Sequence, residues 1–190
     1  MKAADYIADF LEAQGVTHVF EVVGGMITHL LDSLHRAGKI RIVSVHHEQG
    51  AAFSAEGFAR MSGVPGVAMA TSGPGATNLL TGIGSCFFDS TPTVFITGQV
   101  NRSEQKGDRE IRQLGFQETD VVSMAKPITK WAHLVKSPEE LPETLAEAFR
   151  VALSGRPGPV LIDIPMDVQR ADITPPPPAR VKPLEEPSPG

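Results

Sequence analysis

Glu48 lies between an apolar run, Ile40 to Val45, and a stretch of small residues at helical spacing, Ala51, Ala52, Ala55 and Ala59. A carboxylate where a strand gives way to a helix can do three kinds of work. It can cap the helix, where a negative charge near the N-terminus is worth about 0.3–1 kcal/mol. It can sit solvated on the surface. Or it can be partly buried and trade a proton or a hydrogen bond with a ligand, because desolvation favours its neutral form. Residue type and spacing leave all three open. His46-His47-Glu48 does not read as a metal site: adjacent side chains point in different directions, and no Cys/His/Asp set at ligand spacing joins them. The lone cysteine, Cys86, lies in an apolar helical segment and reads as a small core residue rather than a nucleophile. His18, His29, His35 and His133 are isolated, each a surface or satisfied core histidine.

Ser72-Gly73-Pro74-Gly75-Ala76-Thr77-Asn78 is the second stretch with chemical potential. It can bring backbone amides and a helix N-terminus up to an anion. It lacks the third glycine of a dinucleotide fingerprint and the Gly-Lys-Ser/Thr ending of a P-loop, so a plain tight strand-to-helix turn explains it equally well.

These residues need elements to position them. Residues 3–14 put Ala3, Tyr6, Ile7, Phe10 and Leu11 on one helical face, with Gly15 as the stop. Val16 to Val23 reads as a strand ending at Gly24-Gly25. Met26, Ile27, Leu30, Leu31 and Leu34 give a second helical stripe, and Ile40 to Val45 a second strand. Gly66 to Thr71 is a third strand, turning into a helix that carries Ala76, Leu79, Leu80 and Ile83. Thr93 to Gly98 is a fourth. Residues 99–115 are polar and weakly patterned, a long loop of the kind that often carries function. A short helix is expected within Phe116 to Met124 and a fifth strand over Lys130 to Val135. Ser137-Pro138-Glu139-Glu140 has the form of a capping box with proline at the first helical position. Leu141, Leu145, Ala148, Phe149 and Ala152 supply that helix's core face. Pro159 to Ile164 is a sixth strand, apolar apart from Asp163.

Strands alternating with helices predict an α/β fold: a three-layer α/β/α domain around a mostly parallel six-stranded sheet. Strand order does not follow from alternation. Open sheets bind ligands at the carboxyl ends of their strands. Gly24-Gly25, His46-His47-Glu48 and Thr71 to Gly75 all follow strands and are expected to converge there, with the loop through Gln117 closing over them.

Composition sets the outer bounds. The 190 residues suit one domain, assigned to 1–173, and the net charge of -5 gives no basic footprint for nucleic acid. No apolar run approaches the ~20 residues of a membrane span. The N-terminus lacks a signal-peptide core. A single cysteine fits a reducing compartment, so a cytoplasmic location is expected. Seven of the 16 prolines lie in 174–190, which reads as an extended linker toward a further domain.

Several stretches together resemble a known family. His47-Glu48-Gln49-Gly50-Ala51-Ala52-Phe53 through Glu56-Gly57-Phe58-Ala59-Arg60, Ala70 to Asn78, Ile96-Thr97-Gly98-Gln99-Val100, Gly115-Phe116-Gln117-Glu118-Thr119 and Ser154-Gly155-Arg156-Pro157-Gly158-Pro159-Val160 are similar to the motifs of thiamine-diphosphate enzymes of the acetolactate synthase type. The similarity runs from about residue 2 to residue 170, in the family's order, and matches the domain that binds the cofactor's aminopyrimidine ring. It implies that Glu48 hydrogen-bonds the pyrimidine N1′, so that the cofactor loses its thiazolium C2 proton, attacks a 2-oxo acid and takes up electrons as carbon dioxide leaves. It places Thr71, Pro74 and Asn78 at the aminopyrimidine end. Gly24 and Gly25 would form backbone wall near the reacting centre. Gln117, beside Phe116, would face the substrate, and Lys130 would lie on the access route.

Two departures bear on substrate. Val22-Val23 stands where the family often has Tyr-Pro, and the loop from Asn101 to Leu114 is longer and differently charged. The Gly-Asp-Gly motif that holds diphosphate and Mg2+ in the family is absent; Gly107-Asp108-Arg109 is not it. The resemblance therefore implies the N-terminal piece of a larger enzyme, a homodimer or homotetramer with possible FAD, and no turnover by the piece alone. Alternatives are another thiamine-diphosphate lyase or acetyltransferase (benzoylformate or oxalyl decarboxylation, sulfoacetaldehyde or sugar acetyl transfer), or a binding module that kept the fold without catalysis.

Overall fold

Two faces of one sheet explain the hydrophobic pattern. Residues alternate sides along a strand, and β3 (Gly66–Ala70) sends Val67 and Met69 one way and Ala68 and Ala70 the other. The computed structural model describes residues 1–184. Its remaining strands are β1 (His18–Glu21), β2 (Arg41–Ser44), β4 (Thr93–Gln99), β5 (Trp131–Leu134) and β6 (Val160–Pro165). All pair in parallel, in the order β2-β1-β3-β4-β6-β5. The chain reverses its direction of travel across the sheet between β1 and β3, so that is the topological switch point.

On one face, α1 (Ala3–Ala13), α2 (Thr28–Ala37), α7 (Leu141–Leu153) and α8 (Met166–Gln169) cover Val19, Met69, Ile96 and Ile162. On the other, α3 (Glu48–Ser62), α4 (Pro74–Asn78), α5 (Leu80–Phe88) and α6 (Val121–Ala125) cover Ala68, Ala70, Phe95 and Leu161. The three-layer α/β/α fold with a six-stranded parallel sheet is as the alternation predicts. Ala51, Ala52, Ala55 and Ala59 are all buried, and their size has a purpose. A Cβ on Gly66 would lie 1.9 Å from the Ala55 carbonyl oxygen, and one on Gly82 would lie 2.3 Å from Ala52 Cβ. Larger side chains would push α3 off the sheet and off α5.

Local differences from the sequence expectations have physical causes. Helix α7 starts at Leu141, not at Pro138. Ser137 does not cap it, but Glu140 still reaches back to the Lys136 and Ser137 amides, so half of the expected capping box survives as a turn. The helix expected through Ala76 and Ile83 is broken at Leu79 into α4 and α5. The helix within 116–124 is reduced to Val121–Ala125, because Gln117 takes a left-handed φ of 62°. The described part of the proline tract, 174–184, has no helix or strand but does not stand free. Gln14 donates to Ala179 O at 2.9 Å and accepts from Val181 N at 2.8 Å, and Leu184 N reaches Ser154 Oγ at 2.8 Å. The rest of the expected linker, 185–190, lies outside the described residues. No described helix is long and apolar enough to cross a membrane.

Candidate active site at the switch point

Helix α3 begins with a division of labour between neighbours. His47 is its N-cap, and His47 Nδ1 accepts from Gln49 N at 3.1 Å. That frees Glu48 from the capping role and turns its side chain inward, where the residue is only 9% exposed. His47 takes the capping hydrogen bond and burial removes the solvated reading, while Glu48 in the first turn of α3 still places its charge near the helix N-terminus. Its Oε2 accepts a hydrogen bond from Asn78 Nδ2 at 2.9 Å. Its Oε1 lies 3.3 Å from where a Cβ on Gly75 would stand, and no described donor satisfies it.

The other turns close around this carboxylate. Thr71, just past β3, accepts from Met26 N through Oγ1 at 3.1 Å, tying the β3 turn to the turn after β1. A Cβ on Gly24 would stand 2.4 Å from Thr71 Cβ, and one on Gly75 2.8 Å from Thr71 Cγ2. At both positions a side chain would collide with Thr71, so bare backbone is what lets the turns pack together. Pro74 opens α4 at its first turn. Across the same turn, a Cβ on Gly73 would meet Gln117 Cβ at 2.8 Å. Glu48, Gly24, Gly25, Thr71, Pro74, Asn78 and Gln117 are therefore gathered at the carboxyl ends of β1, β2 and β3. Phe116 is exposed beside Gln117. Ser72 Oγ, inside the turn, is buried with no hydrogen-bond partner among the described residues.

Lys130 is not part of this gathering. It precedes β5, so a parallel sheet places it at the opposite, amino edge. Its Nζ donates to Ser154 O at 2.5 Å and to Val151 O, at the C-terminal end of α7 where a cation is favoured. Burial lowers its pKa. The expected access-route role does not fit that place.

Burial pushes the Cys86 thiol up to about 12, which leaves no thiolate for chemistry. Among the described residues no group of three His, Cys, Asp or Glu side chains could hold a metal. A cavity of about 830 Å³ lies elsewhere, between α1, α7 and the proline tract, lined by Tyr6, Phe10, Pro142, Arg150 and Pro175. None of the gathered residues lines it. Sequence reasoning missed His47 as the cap and Glu118 as the loop's organiser. The Glu118 carboxylate accepts from Lys106 N and Leu114 N, each at 2.7 Å. Polar residues next to a site residue were the available signal.

Fold and site together define a class: an α/β domain presenting a buried, half-engaged carboxylate and glycine backbone at its switch point. The family profile for the thiamine pyrophosphate enzyme N-terminal TPP binding domain matches residues 1–124, and the chain belongs to that family. It is 49% identical over 170 residues to an acetolactate synthase of Arthrospira platensis, covering 88% of this chain and 28% of that protein. With the acetolactate synthase isozyme 1 large subunit of Escherichia coli K12 it shares 49% over 168 residues, 88% of this chain and 29% of the relative. With the chloroplastic acetolactate synthase of Arabidopsis thaliana it shares 48% over 169 residues, 89% of this chain and 24% of the relative. The chain thus spans less than a third of the length of these relatives.

Proposed function

We propose that this chain is the pyrimidine-binding part of a thiamine-diphosphate-dependent 2-oxo acid decarboxylase or carboligase of the acetolactate synthase type, with Glu48 as the activating carboxylate. The observation that carries the reading is the asymmetry of Glu48: one oxygen is held by Asn78, and the other is unengaged beside Gly75. Such an oxygen is a ready acceptor for a ring N–H, and an anionic acceptor roughly doubles the strength of that bond. When bound, thiamine diphosphate supplies the electron sink that lets carbon dioxide leave a 2-oxo acid. The protein's part is electrostatic and positional. Glu48 holds a proton at the pyrimidine nitrogen, and Asn78 fixes the carboxylate rotamer. Thr71 locks the Gly24 turn against the Gly75 turn, so that backbone rather than side chain lines the approach.

Diphosphate and Mg2+ would be held by residues beyond this chain, in the portion of the relatives that it does not span. The working unit would then be a homodimer or homotetramer of a longer protein. The domain would be 1–173, with the proline tract leading onward. The Val22-Val23 substitution and the 101–114 loop leave the choice among 2-oxo acids to a direct screen.

Carbon dioxide release from a panel of 2-oxo acids, by the protein that includes its diphosphate-binding part, tests the reading. At least one member should be turned over, and Glu48→Gln should lower that rate by about 10²–10⁴-fold with thiamine diphosphate still bound. Full activity in Glu48→Gln would remove the central residue from the mechanism.

A further inference from the structure

The loop that carries Gln117 is tied to the sheet through one side chain. Gln99, at the carboxyl end of β4, is 4% exposed. Its Nε2 donates to Thr119 O at 2.8 Å and to Asp163 Oδ2 at 2.9 Å, while its Oε1 accepts from Val100 N at 3.0 Å. Both polar hydrogens are thereby used. Asp163, one strand over on β6, is 2% exposed and also accepts from Thr97 Oγ1 at 2.7 Å. An ionised carboxylate can only accept, so Asp163 dictates which end of the Gln99 carboxamide carries the hydrogens. That choice leaves the second hydrogen aimed at Thr119 O.

Thr119 is two residues from Gln117, and its Oγ1 donates to Gln117 O at 3.3 Å. Gln117 has φ of 62°, a conformation that a residue with a side chain keeps only when its surroundings hold it. A Cβ on Gly73 would stand 2.8 Å from Gln117 Cβ, so only bare backbone there lets Gln117 sit against the turn before α4. We propose that Gln99 is a positioning residue: oriented by Asp163, it anchors the Thr119 carbonyl and so holds Gln117 in its left-handed conformation against the Gly73–Pro74 turn. This rests on the reading above that Gln117 serves the substrate side.

The charges around Asp163 make the anchor responsive to pH. Asp120 caps α6 nearby, and the loop contributes Lys106, Arg112 and Glu118 to a cavity of about 240 Å³ beside it. Strand β5 contributes Leu134, and β4 contributes Thr97 and Gln99. Burial raises the Asp163 pKa to about 7 against the lowering effect of the Thr97 and Gln99 hydrogen bonds, with Asp120 raising it further. Protonation turns a charge-assisted Gln99 bond into a weaker neutral one.

The test uses the protein with its diphosphate-binding part, and reads amide exchange of residues 115–120 and the KM for the accepted 2-oxo acid. Gln99→Met keeps the volume and removes the donors. It should lower protection at Gln117 to Thr119 by about tenfold, and raise KM by about tenfold with kcat and cofactor affinity little changed. Asp163→Asn, with its carboxamide oxygen facing Gln99, should keep the fold and abolish the inflection in KM that the wild type shows near neutral pH. Unchanged protection and KM in Gln99→Met would overturn the proposal. So would a wild-type inflection persisting in Asp163→Asn. A Gln117→Ala variant separates the two readings. If its KM does not move, the substrate-side role of Gln117 fails, and the functional half of this proposal fails with it. If Gln117→Ala raises KM while Gln99→Met does not, only the positioning role of Gln99 fails.

Discussion

Asn78 is expected to approach the cofactor's aminopyrimidine end, and in the structure its amide donates to Glu48 Oε2. The role this assigns is orientation. Asn78→Ala should leave the carboxylate free to rotate and slow turnover by about 10²-fold, the scale that a misplacement of about 1 Å costs. A crystal structure of the variant with Glu48 unmoved and turnover reduced would contradict that cause. Asp163 carries a second prediction at this scale. Its folded pKa of about 7 is above the ordinary 3.8, so between these values the folded chain holds a proton that the unfolded chain has released. Stability should therefore fall as pH rises from about 4 to about 7 and level off above it, by a few kcal/mol in all. Denaturant titrations should show this slope in the wild type and not in Asp163→Asn. Residue type alone showed Glu48 as a candidate and Asp163 as an oddity in an apolar strand. It could not show their partners, because Asn78 lies 30 residues from Glu48 and Gln99 lies 64 from Asp163.

At the scale of elements, all six strands were legible, though β5 (WAHL) has no β-branched residue and β3 (GVAMA) only one, and the small-residue face of α3 was legible as a surface for close approach. The ends were less so. A capping box at Ser137 is a statement about local hydrogen bonds, and here Glu140 satisfies the Ser137 amide one turn before the helix begins. Likewise Leu79 and Ile83 keep helical spacing across the break between α4 and α5, so periodicity does not reveal it. Packing between α3 and α5 gives a prediction with competing terms. Gly82→Ala gains about 1 kcal/mol of helix propensity. Its new Cβ would stand 2.3 Å from Ala52 Cβ, where overpacking costs about 1–3 kcal/mol. The variant should melt below the wild type; a higher melting temperature would show that α5 can move away from α3 cheaply.

For the whole molecule, strand order was the missing piece. Alternation predicts that turns after strands share an edge, but only the order β2-β1-β3-β4-β6-β5 sets the turns after β1 and β3 side by side. The same parallel geometry sends Lys130 to the far edge. The described part of the proline tract, 174–184, expected as an extended linker, is tied at the C-terminal ends of α1 and α7, where Gln14 bonds backbone on both sides of Arg180 and Ser154 bonds Leu184. Gln14→Ala should speed amide exchange at Val181, and no change there would detach the tract from Gln14. As the activating carboxylate, Glu48 would act on the cofactor itself. The direct measurement is hydrogen–deuterium exchange at C2 of thiamine diphosphate bound to the protein with its diphosphate-binding part, wild type against Glu48→Gln. Exchange slowed by about 10²-fold or more, with the cofactor fully bound, is the predicted result. Exchange at the wild-type rate would contradict it.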